Sequence, residues 1–237
     1  TGADEAIYVT GETRLFRLWV EPDGLLLDAD WQPEYRTADG AQGLAWDTCL
    51  SGGHAWFHDN GDLVSVRTIF DHHPNGRLTH ELMARMSWQQ ATPWSGAQRL
   101  VAADLATGAV RSVAPFGTAG GGVMAPPVHV AGAHVTVCWD SVNGGMAGVD
   151  ADTFEVRWRN DVRPTMQPVV YADSGELVIN DFSDRDELVV VDAADGTVVS
   201  RVDVQSPLAN GMFLTAGDAH DVWYTSTLAT SRVVWEE

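Results

Sequence analysis

The chain contains 237 residues, of which 33 are acidic and 14 are basic, and its formal net charge at pH 7 is −19. Such a negative surface repels phosphate backbones and anionic lipids, so we expect no nucleic-acid partner and no membrane partner. Cationic partners, neutral partners and divalent metals remain compatible with this charge. Hydrophobic residues make up 45% of the chain, enough to bury a core and to argue against disorder.

Neither a membrane span nor a secretory leader is predicted in this chain. No run approaches the roughly 18 apolar residues that a transmembrane helix needs. The N-terminal residues lack the basic region and the apolar region of a signal peptide. We therefore expect a soluble protein, and the sequence leaves its compartment open.

The N-terminal segment predicts three antiparallel strands, at residues 6–9, 14–20 and 25–27. The turn sequence Glu21-Pro-Asp-Gly24 separates the last two. Two further strands follow at 43–46 and 54–57.

The stretch from about residue 59 to residue 97 has no counterpart elsewhere in the chain. It contains a strand-like run, Asp62–Phe70. We expect the stretch to be an insertion in the second blade of the repeating fold described below. It forms either an excursion on one face or a hairpin that extends the blade.

Three hairpin sequences recur along the rest of the chain, and each consists of a strand that ends at Asp, a polar turn and a second strand. They are Leu100–Val113, Met146–Trp158 and Leu188–Val202. Their aspartates, Asp104, Asp150 and Asp192, are 46 and 42 residues apart. A period of about 40 to 47 residues built from such hairpins is typical of propeller blades.

An additional pair of strands accompanies each hairpin, as a four-stranded blade requires. The pairs upstream of the three hairpins lie at 43–46 with 54–57, at 127–130 with 134–139 and at 167–171 with 176–180, and a fourth pair, at 211–214 with 221–224, follows the last hairpin. The sequence therefore predicts an all-β fold: a β-propeller of four-stranded antiparallel blades, about five of them visible, in a single domain over residues 1–237. Either the ring closes by pairing its first and last strands, or this chain is part of a six-bladed ring.

Polar residues recur where strands meet the channel of such a propeller. With the strands of a blade named a to d from the channel outward, the starts of strand a and the ends of strand b share one face. The expected ligands of an axial divalent ion are Asp59, Asp140, Asn180, Asp181 and Asn210. Oxygen ligands suit Ca²⁺, which we expect ahead of Mg²⁺. The alternative is that these residues end strands through Asx turns.

The same face would hold a small-molecule ligand or substrate. We expect His58 and Asp59 to be catalytic, because a histidine beside a carboxylate can move a proton near neutral pH. The plainer interpretation of His58 is an ordinary loop histidine. Gln42, Met166 and Gln167, at the starts of strand a, are the expected substrate contacts.

Two groups of propellers share motifs with this sequence. The first group is the gluconolactonase and strictosidine-synthase-like propellers. Their blade starts resemble two parts of this sequence: Gln42-Gly-Leu-Ala-Trp46 with Ala55–Asn60, and Asn210-Gly-Met-Phe213 with Val222-Trp-Tyr224. The hairpins Leu100–Val113 and Leu188–Val202 equally resemble pyrroloquinoline-quinone-type repeats of quinoproteins. The lactonase resemblance implies six blades and a channel ion held by Glu, Asn and Asp. Asn210 matches the Asn of that pattern, and its N-terminal Glu has no counterpart.

Two functions follow as hypotheses. The first is a metal-dependent, lactonase-like hydrolase, in which the ion polarises a substrate oxygen or activates water. The alternative is a non-catalytic propeller, similar to quinoprotein-like repeat proteins, that binds a ligand or a protein.

Overall fold

The structure is a computed structural model, and it describes a defined part of the chain. The residues described are 6–10, 14–34, 42–43, 55–57, 62–70, 98–117, 128–140, 144–184, 187–204, 211–218 and 221–235. The chain divides into two compact units, residues 1–121 and 122–237. Within the described ranges, no helix is long and apolar enough to span a bilayer.

The first unit contains two antiparallel sheets. Sheet 1 consists of β1 (Ala6–Thr10), β2 (Leu15–Glu21) and β3 (Gly24–Leu27). Sheet 2 consists of β4 (Gln42–Gly43), β5 (Ala55–Phe57), β6 (Asp62–Phe70), β7 (Gln98–Asp104) and β8 (Val110–Val113).

The second unit contains three sheets, and in each of them every strand pairs with the next one along the chain. Sheet 3 consists of β9 (Val128–Val130), β10 (Val135–Trp139), β11 (Met146–Asp150) and β12 (Val156–Asn160). A 3₁₀ turn at Ala131–Ala133 joins β9 to β10. Sheet 4 consists of β13 (Val169–Tyr171), β14 (Glu176–Asp181), β15 (Glu187–Asp192) and β16 (Val198–Asp203). Sheet 5 consists of β17 (Gly211–Ala216), β18 (Val222–Ser226) and β19 (Thr230–Val233).

Sheets 3 and 4 have the strand order of propeller blades, a four-stranded antiparallel meander. The predicted all-β class and the four-stranded blade of a β-propeller are therefore confirmed. The three recurring hairpins form β7–β8, β11–β12 and β15–β16. The single domain predicted over residues 1–237 stays a prediction.

Sheet 2 differs from its predicted arrangement. Strand β6 pairs with β7 along one edge, and both β4 and β5 pair with it along the other. The strand Asp62–Phe70 is thus an inner strand of sheet 2. The insertion predicted over about residues 59–97, either an excursion or a hairpin that extends the second blade, stays a prediction. Strand β5, predicted as strand b, takes the position of strand a. The long sequence separation between β6 and β7 concealed their pairing, and residues 71–97 lie outside the described ranges.

The core of the second unit lies mainly between sheets 3 and 4. All five residues of β10 are buried, including Cys138, and β14 is buried from Leu177 to Asp181. Val, Ile and Leu side chains from the two sheets pack face to face, which removes apolar surface from water. Cys138 is a free cysteine, and burial raises the pKa of its thiol well above the usual range. It is therefore an inert core residue.

Sheets 4 and 5 pack in the same way. Val178 and Val190 of sheet 4 contact Val222 of sheet 5 in one apolar cluster. The Tyr171 hydroxyl donates a hydrogen bond to the carbonyl oxygen of Asp221, at 2.6 Å. Neighbouring sheets of this unit are therefore joined by buried apolar faces and by hydrogen bonds between their turns.

Candidate functional site

Three of the predicted metal ligands lie at the ends of inner strands in the second unit. Asp140 directly follows β10, while Asn180 and Asp181 are the last two residues of β14. Strands β10 and β14 are both second strands of their sheets, so the two carboxylates occupy equivalent positions. All three side chains are buried.

The amide of Asn180 is committed to its own sheet. Its Oδ1 accepts hydrogen bonds from the backbone N–H groups of Thr165 and Met166, each at 3.0 Å. Its Nδ2 donates to Thr165 Oγ1 at 2.7 Å. Since a buried amide must satisfy these groups, Asn180 holds the segment that leads into β13.

The carboxylate of Asp181 is also engaged on both oxygens. Oδ1 accepts from Ser183 Oγ at 2.6 Å and from the Arg163 N–H at 3.1 Å. Oδ2 accepts from Arg201 Nη1 at 2.7 Å, and the same guanidinium reaches Glu187 Oε2 at 3.1 Å.

Burial opposes the charge of Asp181. The hydrogen bonds from Ser183 and Arg201 nevertheless hold the pKa of Asp181 below its usual value. The carboxylate is therefore ionised and already has a cationic partner.

Asp140 closes the turn between β10 and β11. Its N–H donates to the Gly145 carbonyl and its carbonyl accepts from the Gly144 N–H, both at 3.0 Å. Among the residues that the structure describes, no group of three or more His, Cys, Asp or Glu side chains could hold a metal ion. The axial ion stays a prediction.

The predicted substrate contacts have different surroundings. Met166 is buried and packs with Leu188 and Tyr224. The neighbouring Gln167 is exposed. Gln42 lies in β4, where only its backbone is described.

The remaining site residues, His58, Asp59 and Asn210, lie outside the described ranges. In the chain, Asp59 follows β5, which holds the position of strand a. Strand β5 is therefore not the strand b that the prediction assumed, and the grouping of Asp59 with Asp140 and Asp181 stays a prediction. The catalytic roles of His58 and Asp59 stay predictions.

The recurring aspartates of the hairpins shape their turns. Asp104 Oδ1 accepts from Thr107 Oγ1 at 2.6 Å, and Asp150 Oδ1 accepts from the Thr153 N–H at 2.6 Å. Asp192 Oδ1 accepts from the Ala194 N–H at 2.8 Å. These are Asx-type contacts, so the repeat of Asp marks turns and not a ligand site.

Sequence analysis missed a tryptophan contact between sheets. Trp158 of β12 donates from Nε1 to the Ala193 carbonyl in the hairpin turn of sheet 4, at 2.8 Å. A Cβ added to Gly148 or Gly196 would lie within 2.4 Å of the indole ring. The indole therefore fits between two glycines, and the pairing of Gly148 with Trp158 across β11 and β12 is the sequence signal that could have indicated it.

Exposed carboxylates gather at one end of sheets 3, 4 and 5. The turns at this end contact one another: the Ala193 N–H donates to the Gly175 carbonyl at 3.0 Å, and Tyr171 bonds Asp221. We call this the acidic turn end, and its exposed members are Asp152, Glu155, Asp173, Asp195 and Asp218. Arg157, at the same end, pairs with Asp150.

Comparison with known proteins reveals similarities to propeller structures at low sequence identity. BamB from Moraxella catarrhalis is 15% identical, with a TM-score of 0.49, and the match covers 96% of this chain and 56% of that one. Sqt1 from Saccharomyces cerevisiae is 10% identical, with a TM-score of 0.48, over 92% of this chain and 51% of that one. The β-propeller domain of the Trilobed protease from Pyrococcus furiosus is 10% identical, with a TM-score of 0.39, over 77% and 58%.

The chain thus spans little more than half the length of these three structures. No family model matches it, and no curated protein matches it. These similarities assign neither a family nor an activity to the chain.

Proposed function

We propose that the chain acts as a non-catalytic binding propeller that recognises a cationic protein or peptide. The observation that carries this proposal is the exposure of the carboxylates at the acidic turn end. The buried Asn180 and Asp181, by contrast, already have hydrogen-bond partners within sheet 4.

Charge distribution supports a cationic partner. The chain has a net charge of −19, and its Arg side chains Arg17, Arg157, Arg201 and Arg232 each pair with a carboxylate. Among the described residues, the carboxylates of the acidic turn end are exposed, so their negative charge is presented to solvent. Such a field accelerates encounter with positive partners and repels negative ones.

Two matched triple variants test the proposal. The first neutralises one residue of each sheet at the acidic turn end: Asp152→Asn, Asp195→Asn and Asp218→Asn. The control removes the same charge from the exposed Asp161, Asp184 and Asp203, at the opposite ends of strands. Binding of a fluorescent oligo-arginine peptide is measured by anisotropy at several salt concentrations.

The first variant is expected to bind about tenfold more weakly at low salt, with a flatter salt dependence, because steering charges are screened over a Debye length of about 10 Å at 0.1 M. The control is expected to change by less than about threefold. Equal losses in the two variants would show that only net charge matters and would contradict recognition at the acidic turn end.

A metal-dependent, lactonase-like hydrolase acting on a small molecule in the channel is the second candidate. The equivalent positions of Asp140 and Asp181 favour it. In this case the ion site would be formed by Asp59, Asp140, Asn180, Asp181 and Asn210. Protons would be moved by His58 and Asp59. The substrate would be contacted by Gln42, Met166 and Gln167.

Calcium titration after chelation separates the two candidates. If the chain is the hydrolase, the titration should show Ca²⁺ binding and a rise in melting temperature, and the Asp140→Asn variant should show neither. The binding propeller requires no shift in melting temperature when Ca²⁺ is added to the chelated protein.

A further inference from the structure

One arginine–aspartate pair at the acidic turn end differs from three others in the described ranges. The four pairs are Arg17 with Asp28, Arg157 with Asp150, Arg201 with Asp181 and Arg232 with Asp221. In the first three, the aspartate Oδ2 accepts from the guanidinium. Their Oδ1 atoms accept from backbone N–H groups or from a serine hydroxyl. Both oxygens of these three carboxylates are therefore satisfied.

The pair of Arg232 with Asp221 is incomplete. Oδ2 of Asp221 accepts from Arg232 Nε, but in the part of the chain that the structure describes no donor lies within hydrogen-bond distance of Oδ1. Asp221 is only 1% exposed. A buried carboxylate oxygen without a donor is unfavourable, so a residue that keeps one is a candidate for a binding role.

The unsatisfied oxygen lies at the turn between β17 and β18, within the acidic turn end. A Cβ added to Gly217 would collide with the Asp221 carboxylate, which therefore lies directly against the backbone of this turn. The same turn carries the exposed Asp218, and the Tyr171 hydroxyl joins it to the neighbouring turn of sheet 4. Asp221 thus adds an unused acceptor to a surface that is already negative.

Arg232 is the less firmly held partner of this pair. Its side chain is 50% exposed, and it contacts the carboxylate through Nε. Arg157, by comparison, also donates from Nη1 to the Ala133 carbonyl at 2.9 Å. No such second hydrogen bond joins Arg232 to a described residue. Arg232 can therefore leave Asp221 without breaking a further hydrogen bond.

An exposed indole lies beside the pair. Trp223 is 42% exposed, and the register of β18 and β19 places it opposite Arg232. The guanidinium carbon of Arg232 is 5.9 Å from the centre of the Trp223 ring, within the range of a cation–π contact. Guanidinium groups stack on aromatic rings and bind carboxylates through two N–H groups, whereas an ammonium is a point charge. Asp221 and Trp223 therefore match an arginine side chain better than a lysine side chain.

We infer that Asp221 and Trp223 form a subsite for an arginine side chain of the cationic partner, and that Arg232 occupies this subsite until the partner displaces it. The inference rests on the proposed function, because it concerns how the acidic turn end holds its partner.

The exchange of one arginine for another is favourable for the carboxylate. Once Arg232 leaves, rotation about the Cβ–Cγ bond of Asp221 can present both oxygens to the incoming guanidinium, which donates to each of them. Arg232 satisfies Oδ2 alone. Because the buried carboxylate is paired with an arginine before and after the exchange, the final complex contains no uncompensated charge.

Peptides of arginine and of lysine, equal in length and charge, test the inference. Fluorescence anisotropy measures the binding of both peptides to the wild-type protein, to Asp221→Asn and to Asp218→Asn. The wild-type protein is expected to bind oligo-arginine about tenfold more tightly than oligo-lysine. Asp221→Asn should lose this preference, while Asp218→Asn, which removes the same charge from an exposed residue of the same turn, should keep it.

The outcomes separate the inference from the proposed function. Equal affinities of the wild-type protein for the two peptides, or an undiminished preference in Asp221→Asn, would overturn the inference and leave recognition of positive charge intact. Failure of the wild-type protein to bind either peptide would overturn both.

Removal of Arg232 tests the same subsite with its carboxylate in place, and it serves also if Asp221→Asn does not fold. Arg232→Gln is expected to bind oligo-arginine about tenfold more tightly than the wild-type protein, and oligo-lysine less than about threefold more tightly. The control, Arg159→Gln, removes the same charge from an exposed residue of β12 and should strengthen both peptides by less than about threefold. Equal gains in the two variants would show that Arg232 acts only through net charge and would overturn the inference.

Discussion

Sheets 1 and 2 are joined by the same kind of hydrogen bond as sheets 3 and 4, but the residues around the two bonds differ. In both, a tryptophan Nε1 donates to a backbone carbonyl in the hairpin turn of the next sheet. Trp31 bonds Asp104 at 3.1 Å, and Trp158 bonds Ala193 at 2.8 Å. Trp158 belongs to strand β12, whereas Trp31 follows β3 in a loop that Asp28 holds.

The difference lies in how each indole is fixed. Trp158 is enclosed by its own sheet at Gly148 and by the next sheet at Gly196, so packing determines its position. Trp31 depends on a carboxylate, because Asp28 accepts from the Trp31 N–H at 3.2 Å and from Arg17 Nε at 2.9 Å. The same inter-sheet hydrogen bond can thus be supported by shape or by electrostatics.

The largest effect is expected from Gly196→Ala compared with Gly108→Ala. Both glycines have positive φ, +76° and +72°, but a Cβ at 196 would lie 2.4 Å from the Trp158 ring, and one at 108 would lie 3.6 Å from Trp31. Gly196→Ala should cost about 3–4 kcal/mol, since overpacking adds to the left-handed backbone penalty.

Gly108→Ala should cost only that penalty, about 1–2 kcal/mol. Urea unfolding of both variants measures the difference. Equal costs would mean that the Trp158 ring moves aside freely and that its position is not set by packing.

Replacing each indole by phenylalanine is expected to have a smaller effect. Trp158→Phe leaves the Ala193 carbonyl without its donor in a buried position, which should cost about 1–3 kcal/mol. Trp31→Phe should cost less, because the turn around Asp104 keeps its contacts with Thr107. Melting temperatures of the two variants provide the comparison, and a larger loss for Trp31→Phe would reverse it.

Acid should loosen the contact between sheets 1 and 2 before the contact between sheets 3 and 4. The hydrogen bond from Arg17 holds the pKa of Asp28 below its usual value, so the contribution of Asp28 is present above the unfolded pKa near 3.8 and is lost as the pH falls through the folded pKa. No carboxylate contacts the Trp158 indole in the hydrogen bonds described.

Hydrogen exchange of the two indole N–H groups from pH 5 down to pH 2.5, relative to intrinsic rates, tests this expectation. Asp28→Asn should abolish the acid sensitivity at Trp31 and leave Trp158 unchanged. Simultaneous loss of protection at both indoles in the wild-type protein would instead indicate global unfolding.

The smallest effect is expected at the entrance to sheet 1. Arg14 and Glu34 form an ion pair at 3.9 Å between side chains that are largely in water. Exposed pairs of this kind contribute about 0–1 kcal/mol, so Arg14→Gln should change the free energy of unfolding by less than about 0.5 kcal/mol. A loss as large as that of Gly108→Ala would show that the charge itself supports the loop of Trp31.

Local sequence patterns predicted most of the strands correctly. Runs such as Glu176–Asp181 and Val198–Asp203 are rich in β-branched residues and bounded by polar turns. Each of them pairs with a strand that is close to it in the sequence. The run Asp62–Phe70 was predicted as a strand, but its pairing with β7 was not, because β7 begins far along the chain and no local pattern encodes such a pairing.

The candidate site could be predicted only in part. Recurrence identified Asp140 and Asp181 as equivalent positions, and both lie at the ends of second strands. Recurrence could not reveal that Arg201, from strand β16, neutralises Asp181. That partner comes from the far edge of the same sheet, so only the folded arrangement brings it to the carboxylate.

The sequence alone determined the all-β class, the hairpins and the excess of acidic side chains, because each depends on composition or on neighbours a few residues apart. Tertiary structure decided which aspartates are ionised partners of arginine, which glycines accommodate an indole, and which residues of sheet 1 contact sheet 2. These depend on close packing between sheets, where a distance of an ångström separates a contact from a clash.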